Sequence, residues 1–178
     1  MENILLRRLN DSDEDYMLLS KWCSQKEIYV HFEQMILSLD EIKKKYYVRT
    51  LKDTDIPVYM IEYNKIPVGI IQYQLVSNEN KELYKIDGNK CYEIDIFIGE
   101  LDYHNRGIAK NSIRIMCNYL FKNKNADILV MCPLKGNEPA INCYLGCGFE
   151  IKNKYFAKDT IGNMKEYILM IKDNVKKM

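Results

Sequence analysis

The stretch from Cys91 to Lys122, CYEIDIFIGELDYHNRGIAKNSIRIMCNYLFK, changes its period partway. Its first eight residues alternate as a strand does. Tyr92, Ile94, Ile96 and Ile98 fall on one face, and Cys91, Glu93, Asp95 and Phe97 on the other. From about Arg106 to Lys122 the apolar residues recur at helical spacing. A loop holding Gly107 joins the two, and ADILVMCP follows as a short buried strand. A strand, a loop, a long helix and another strand in immediate succession confine the chain to folds in which helices pack on a sheet.

The flanking segments extend that pattern. NILLRRL reads as a first strand, and Asp11 or Ser12 caps the helix carrying Tyr16, Leu18, Leu19, Trp22 and Cys23. IYVHFEQMI is too apolar for a free linker, and Ser38 with Glu41 opens a second helix. PVYMIEYNKIPVGIIQYQLV is a hairpin turning at Asn64-Lys65. SNENKELYKIDGNK, the most polar stretch, is expected to be a loop. NEPAINCYLGC is a helix closed by Gly148, and FEIKNKYF and MKEYILMI are the closing strands. With 178 residues and no Gly/Ser linker, the expectation is one mixed α/β domain over residues 1–178.

Composition narrows the class. A 47% hydrophobic and 29% charged chain is that of a soluble globular protein. The net charge of +1 gives no field that would draw nucleic acid, although residues 1–15 carry five acids and residues 151–178 seven lysines; both runs read as solvated faces. No apolar run approaches the roughly 18 residues of a membrane span, and the acidic start is unlike a signal peptide. The six cysteines are scattered through expected strands and helices. Cys143 and Cys147, four apart, would share a helix face, but no histidine or further cysteine stands at zinc-ligand spacing. Free thiols, no metal, no membrane and a cytoplasmic location are expected.

Two short patterns carry chemistry. HNRGIAK places Gly107 and the small Ala109 between the cations Arg106 and Lys110 at a helix start. The first turn of a helix has unpaired N–H groups and a partial positive charge, and glycine lets an anion approach. By itself this is either an ordinary helix start or a phosphate cradle. About thirty residues later comes Asn137-x-x-Ala140-Ile141-x-x-Tyr144-x-x-x-Gly148-Phe149.

Together the two patterns resemble the GNAT-type N-acetyltransferases, and that pairing favours the cradle. The family's loop is [Gln/Arg]-x-x-Gly-x-[Gly/Ala]; here it is His104-Asn105-Arg106-Gly107-Ile108-Ala109, departing at the first position. SKWCSQKEI, EIKKKYY, IEYNKIPVG and IDIFIGE are similar to the aminoglycoside 6′-N-acetyltransferase branch, so the resemblance spans roughly residues 5–170. It implies a mostly antiparallel central sheet, splayed at the cofactor strand, with helices on both faces. It also implies transfer of an acetyl group from acetyl-CoA to the 6′-amine of an aminoglycoside, an antibiotic-resistance activity. Arg106, Gly107, Ile108, Ala109 and Lys110 would hold the pyrophosphate, and backbone N–H groups near Phe97 or Ile98 the carbonyl oxygen.

The same resemblance implies roles for the remaining residues. Asp95 would contact the substrate amine and serve as base, against the plain alternative of a strand-end polar residue. Glu93, read from the residues alone, shares the face of Asp95 two positions away and would bind a second ammonium or raise the pKa of Asp95 by like-charge repulsion, or simply be solvated. Tyr144 would lie near the CoA sulfur and protonate the thiolate. Asn137 caps its helix or touches the pantetheine arm, the cap being the preferred reading. Trp22 is placed with the substrate. His31 and His104 have no triad partner nearby, which argues against nucleophilic catalysis. One departure bears on the acceptor: the branch ends the strand after the long helix in Asp-Pro, whose acid binds the polycationic drug, and here it is Cys132-Pro133. A protein N-terminus, a polyamine or another small amine is the alternative acceptor, and a non-catalytic acyl-CoA-binding domain the alternative class. Monomer and dimer are both compatible with the sequence.

Overall fold

The computed structural model describes residues 3–32 and 35–174. Glu33 and Gln34, within the apolar connector, and Lys176 and Lys177, in the lysine-rich terminal run, lie outside the described residues. The elements are β1 (Ile4–Arg8), α1 (Asp13–Cys23), α2 (Lys26–Tyr29), α3 (Leu39–Thr50), β2 (Val58–Tyr63), β3 (Ile66–Leu75), α4 (Asn78–Tyr84), β4 (Cys91–Ile98), α5 (Ile108–Asn123), β5 (Ile128–Met131), α6 (Glu138–Leu145), β6 (Glu150–Lys158) and β7 (Met164–Asp173). A 3-10 turn, Leu101–Tyr103, precedes α5. The seven strands form a mixed sheet in the order β1-β2-β3-β4-β5-β7-β6, with β4 and β5 its parallel pair. The chain is therefore mixed α/β, as expected. It divides into two compact units, residues 1–72 with 96–112 and residues 73–95 with 113–178.

The first unit is built on caps and a partly buried ion cluster. Ser12 accepts a hydrogen bond from the Asp15 amide and starts α1. Ser38 and Glu41 form a full capping box on α3. Helix spacing then turns Tyr16, Leu19, Trp22 and Cys23 into a core with Ile28, Ile42, Tyr46, Val58, Met60, Ile70 and Phe97. Phe32, from the apolar connector, stacks edge-on against Phe97 at 4.7 Å. The β2–β3 turn falls at Asn64 and Lys65, whose φ angles of 50° and 69° are those of a type I′ hairpin. Arg7 joins three elements: it forms a bidentate pair with the buried Asp15 of α1, at 2.9 and 3.0 Å, and bonds Glu62 of β2 at 2.7 Å. Those two carboxylates raise the guanidinium pKa, Asp15 most, against the opposing effect of burial.

In the second unit helices cover both faces of the strands. On one face Tyr73 of β3 packs edge-on against Tyr92 of β4 and meets Tyr119 of α5. On the other, Cys91, Ile128, Val130, Leu169 and Ile171 form a core with Val76 and Tyr84. Tyr84 belongs to α4, and here the expectation of a loop is corrected. Ser77 caps Asn78–Tyr84 through the Asn80 amide, and Lys85 ends the helix in a left-handed conformation, φ 53°. The polar residues concealed a short helix whose anchors are the Ser77 cap on the Asn80 amide, the buried Tyr84, and Lys81, whose ammonium donates to the Gly88 and Asn89 carbonyls at 2.9 and 3.3 Å. α6 ends at Leu145, so Cys147 lies past the helix and does not share a helical face with Cys143. Gly148, φ 83°, lets the Phe149 amide bond back to the Tyr144 carbonyl, which closes the helix as expected. All six cysteines are free thiols.

Candidate active site

The acid-bearing strand is the framework. β4 pairs with β5 at Cys91, Tyr92 and Glu93, opposite Ile128, Leu129 and Val130, and then continues to Ile98. Strand alternation sets Glu93 and Asp95 on the Cys91 face. Both acids are half-buried. Around Glu93 stand the Tyr84 hydroxyl, 3.5 Å from Oε1, the Cys132 thiol just past β5 and the Gln74 amide of β3. The Tyr84 hydroxyl lies 3.4 Å from that of Tyr155 on β6, which stacks on Tyr167. Burial first, and the charge of Asp95 second, push the Glu93 carboxyl up to about 7; the hydrogen bonds from Cys132, Gln74 and Tyr84 act the other way. Burial likewise raises the Cys132 thiol, so it is a neutral neighbour, not an anion. Sequence reasoning did not single out Tyr84, Tyr155 or Gln74. Only strand alternation in IQYQL could have flagged Gln74, and the two tyrosines arrive from α4 and β6 by tertiary folding.

Tyr144, on the buried face of α6, belongs to the same unit. Burial raises its hydroxyl pKa and the Asp95 charge raises it further, so the phenol stays protonated. Asn137 accepts from the Ala140 amide and caps α6, the preferred reading of that residue. Glu93, Asp95, Asn137 and Tyr144 are thus brought into one unit.

The remaining predicted residues belong to the first unit. Before α5 the backbone turns through two left-handed residues, Asn105 at φ 59° and Gly107 at φ 74°. A methyl group on Gly107 would meet nothing within 4 Å, so the glycine is there for its φ and for the open space above it. Arg106 is exposed with its guanidinium 5.1 Å from the Tyr103 ring centre, and the buried Ile108 anchors the helix start beside Ala109 and Lys110. Helix α5 begins at Ile108 and not at Arg106, which leaves Gly107 outside its first turn. His104, at the motif's departing position, donates from Nε2 to the Ile98 carbonyl at 2.7 Å and so ties the loop to the end of β4. At that end Phe97 lies so close to Gly69 that a Cβ there would be 2.2 Å from the Phe97 carbonyl oxygen. These residues fit an anion: open backbone at a helix N-terminus with an adjacent guanidinium.

Trp22 has a different position from the one expected. It is fully buried, its ring covers Gly99, its indole N–H donates to Glu100 at 2.8 Å, and it meets Phe97 edge-on at 6.2 Å. A tryptophan enclosed in this way shapes the turn after β4 from the core and has no face for a substrate. Among the described residues no cluster of His, Cys, Asp or Glu is arranged to hold a metal ion, and no helix is long and apolar enough to cross a membrane.

The pattern of the family described as "Acetyltransferase (GNAT) domain" matches residues 11–155. The chain belongs to the GNAT acetyltransferase family. Solved GNAT-fold neighbours include the aminoglycoside acetyltransferase AAC(6')-Ib in complex with coenzyme A and kanamycin, with a TM-score of 0.80, 18% identity, and 97% of this chain and 95% of that one covered. Spermidine N-acetyltransferase from Vibrio cholerae, in complex with CoA and spermine, gives 0.77 at 18% identity, covering 96% and 95%. An uncharacterized protein from Bacillus halodurans gives 0.83 at 17%, covering 97% and 84%. At such identities the likeness establishes the fold.

Proposed function

We propose that this GNAT protein moves an acetyl group from acetyl-CoA directly to a primary amine, with the 6′-amine of an aminoglycoside the leading acceptor. The observation that carries the reading is the grouping of Asp95 with Tyr144 in one unit, near enough for the carboxylate to raise the phenol's pKa. In this reading Gly107, Ile108, Ala109 and Lys110 hold the pyrophosphate through backbone N–H groups, with Arg106 adding charge. The N–H groups at Phe97 and Ile98 stabilise the carbonyl oxygen as it becomes negative. Asp95 orients the acceptor ammonium and accepts its proton. The freed nitrogen lone pair attacks the thioester carbon, and the C–S bond breaks. Tyr144 donates a hydrogen bond to the leaving thiolate; with a hydroxyl above its ordinary pKa of about 10 it is a better donor than acid toward a thiol of about 8.5. Asn137 caps α6 and fixes that tyrosine. The acetyl acceptor is a small soluble amine, and the work is cytoplasmic.

A second acceptor class is favoured by one feature. Cys132, neutral beside Glu93, replaces the acid that the aminoglycoside branch carries there. A site with fewer anions holds a polycation less strongly, which supports a polyamine, a protein N-terminus or another small amine. CoA release measured with acetyl-CoA across kanamycin, tobramycin, a 6′-hydroxyl analogue, spermidine and short peptides separates these. Saturable turnover on kanamycin that vanishes with the 6′-hydroxyl analogue is the expected result. Turnover on spermidine or peptides alone overturns the drug assignment, and tight acetyl-CoA binding without turnover on any amine overturns the enzyme.

A further inference from the structure

Glu93 takes no step in the transfer chemistry proposed above, yet groups from β3, α4 and the end of β5 surround it. Its neighbours come from every element packed against it. They are Asp95 on β4, Gln74 on β3, Cys132 past β5, Tyr84 on α4, and Tyr155 of β6 behind Tyr84 and Cys132; Tyr144 of α6 faces Asp95. None of these neighbours is a cation. A carboxylate among neutral hydrogen-bond donors, with a second carboxylate two residues along the same strand face, is a setting in which the ionisation of one acid opposes that of the other.

We propose that Glu93 and Asp95 act as a carboxyl pair that takes up the proton of the acceptor ammonium, with Tyr84 of α4 as the positioning residue that holds Glu93 in the pair. The inference rests on the amine-acetyltransferase reading. In the step, an N–H bond of the ammonium breaks, its electron pair stays on nitrogen as the nucleophile, and the proton is held on the pair. The doubly ionised pair becomes singly protonated. A lone aspartate near its reference pKa of about 3.9 is a weak proton acceptor for an amine; a pair whose second proton is bound near 7 is roughly a thousandfold better. Tyr84 tunes this value, because its hydroxyl stabilises the ionised form of Glu93.

The test has one readout in the resting protein and one in turnover. In full-length protein with 13C-labelled glutamate side chains, the resonance lost in Glu93→Gln identifies Glu93. It should titrate well above the ordinary glutamate value of about 4.3. Its midpoint should fall in Asp95→Asn, where the like charge is gone, and rise in Tyr84→Phe, where the hydroxyl is gone. In turnover on the best amine of the panel, the acidic limb of kcat/KM against pH should follow the same midpoint. Glu93→Gln should move that limb downward by more than one pH unit and lower the plateau at least tenfold, whereas Tyr84→Phe should move the limb upward. Loss of packing alone would lower the rate without moving the limb in opposite directions. A Glu93 that titrates at its ordinary value, or a limb that ignores both substitutions, overturns the pair. Absence of turnover on every amine overturns the acetyl-transfer reading and this inference with it, and the titration then shows whether the pair exists without that use.

Discussion

At the scale of single residues, the site's chemistry depends on environments that neighbours impose. Asp95→Asn keeps shape and removes the proton acceptor, so kcat should fall about 10²- to 10⁴-fold while the acetyl-CoA dissociation constant is unchanged; steady-state kinetics and calorimetry on one preparation check both. Glu93 links the site to stability. Its folded pKa lies above the unfolded value, so the native state binds more protons than the unfolded one between about 4.5 and 7. Stability therefore falls as pH rises through that window and levels off above it. Glu93→Gln, which has no charge to bury, should stabilise the fold by about 3 kcal/mol at pH 8 and by only about 1 kcal/mol at pH 5, read from urea melts at the two pH values. Gly107→Ala would force a β-carbon onto φ 74°, costing about 1 kcal/mol of stability and weakening acetyl-CoA binding, both measurable without a substrate amine.

Among the elements, α4 differs most from its reading as sequence. SNENKELYKIDGNK has the polarity of a loop, and its one large buried residue is Tyr84. A helix of seven residues is too short to persist through propensity alone, so its cap and that tyrosine hold it. Ser77→Ala should cost about 1 kcal/mol and speed amide exchange in residues 78–84 selectively. The β2–β3 turn was legible by contrast, because Asn64-Lys65 between two β-rich runs leaves few alternatives. Lys65 sits at φ 69°, so Lys65→Gly should raise stability by roughly 0.5–1 kcal/mol in thermal melts. In the loop before α5, Gly107 was legible as the glycine that a turn of positive φ needs. The use of His104 was not, since its partner is a backbone carbonyl six residues earlier, on the strand.

For the molecule as a whole, the cluster of Arg7, Asp15 and Glu62 joins β1, α1 and β2. Asp15→Ala leaves a guanidinium facing Glu62 alone and should lower stability by about 3 kcal/mol, whereas replacing Arg7, Asp15 and Glu62 together by apolar residues of similar volume should recover most of that loss in denaturant melts. The order of the strands and of the helices other than α2 and α4, and the membership in the GNAT family, were written locally. Period-two and period-3.6 runs, caps such as Ser12 and Ser38, and glycines that need positive φ act over a few residues, so the amino-acid order alone determines them. Asp95, Gly107 and Tyr144 could be named in the same way, because each stands inside a short pattern. What surrounds them was decided only in three dimensions. Trp22 is held in the core because Gly99 and Glu100, far along the chain, close over it. Glu93 acquires its raised pKa because α4, β3, β6 and the end of β5 converge there and partly desolvate it beside the charge of Asp95. Desolvation and the proximity of charges depend on which distant segments meet, and spacing along the sequence does not carry that information.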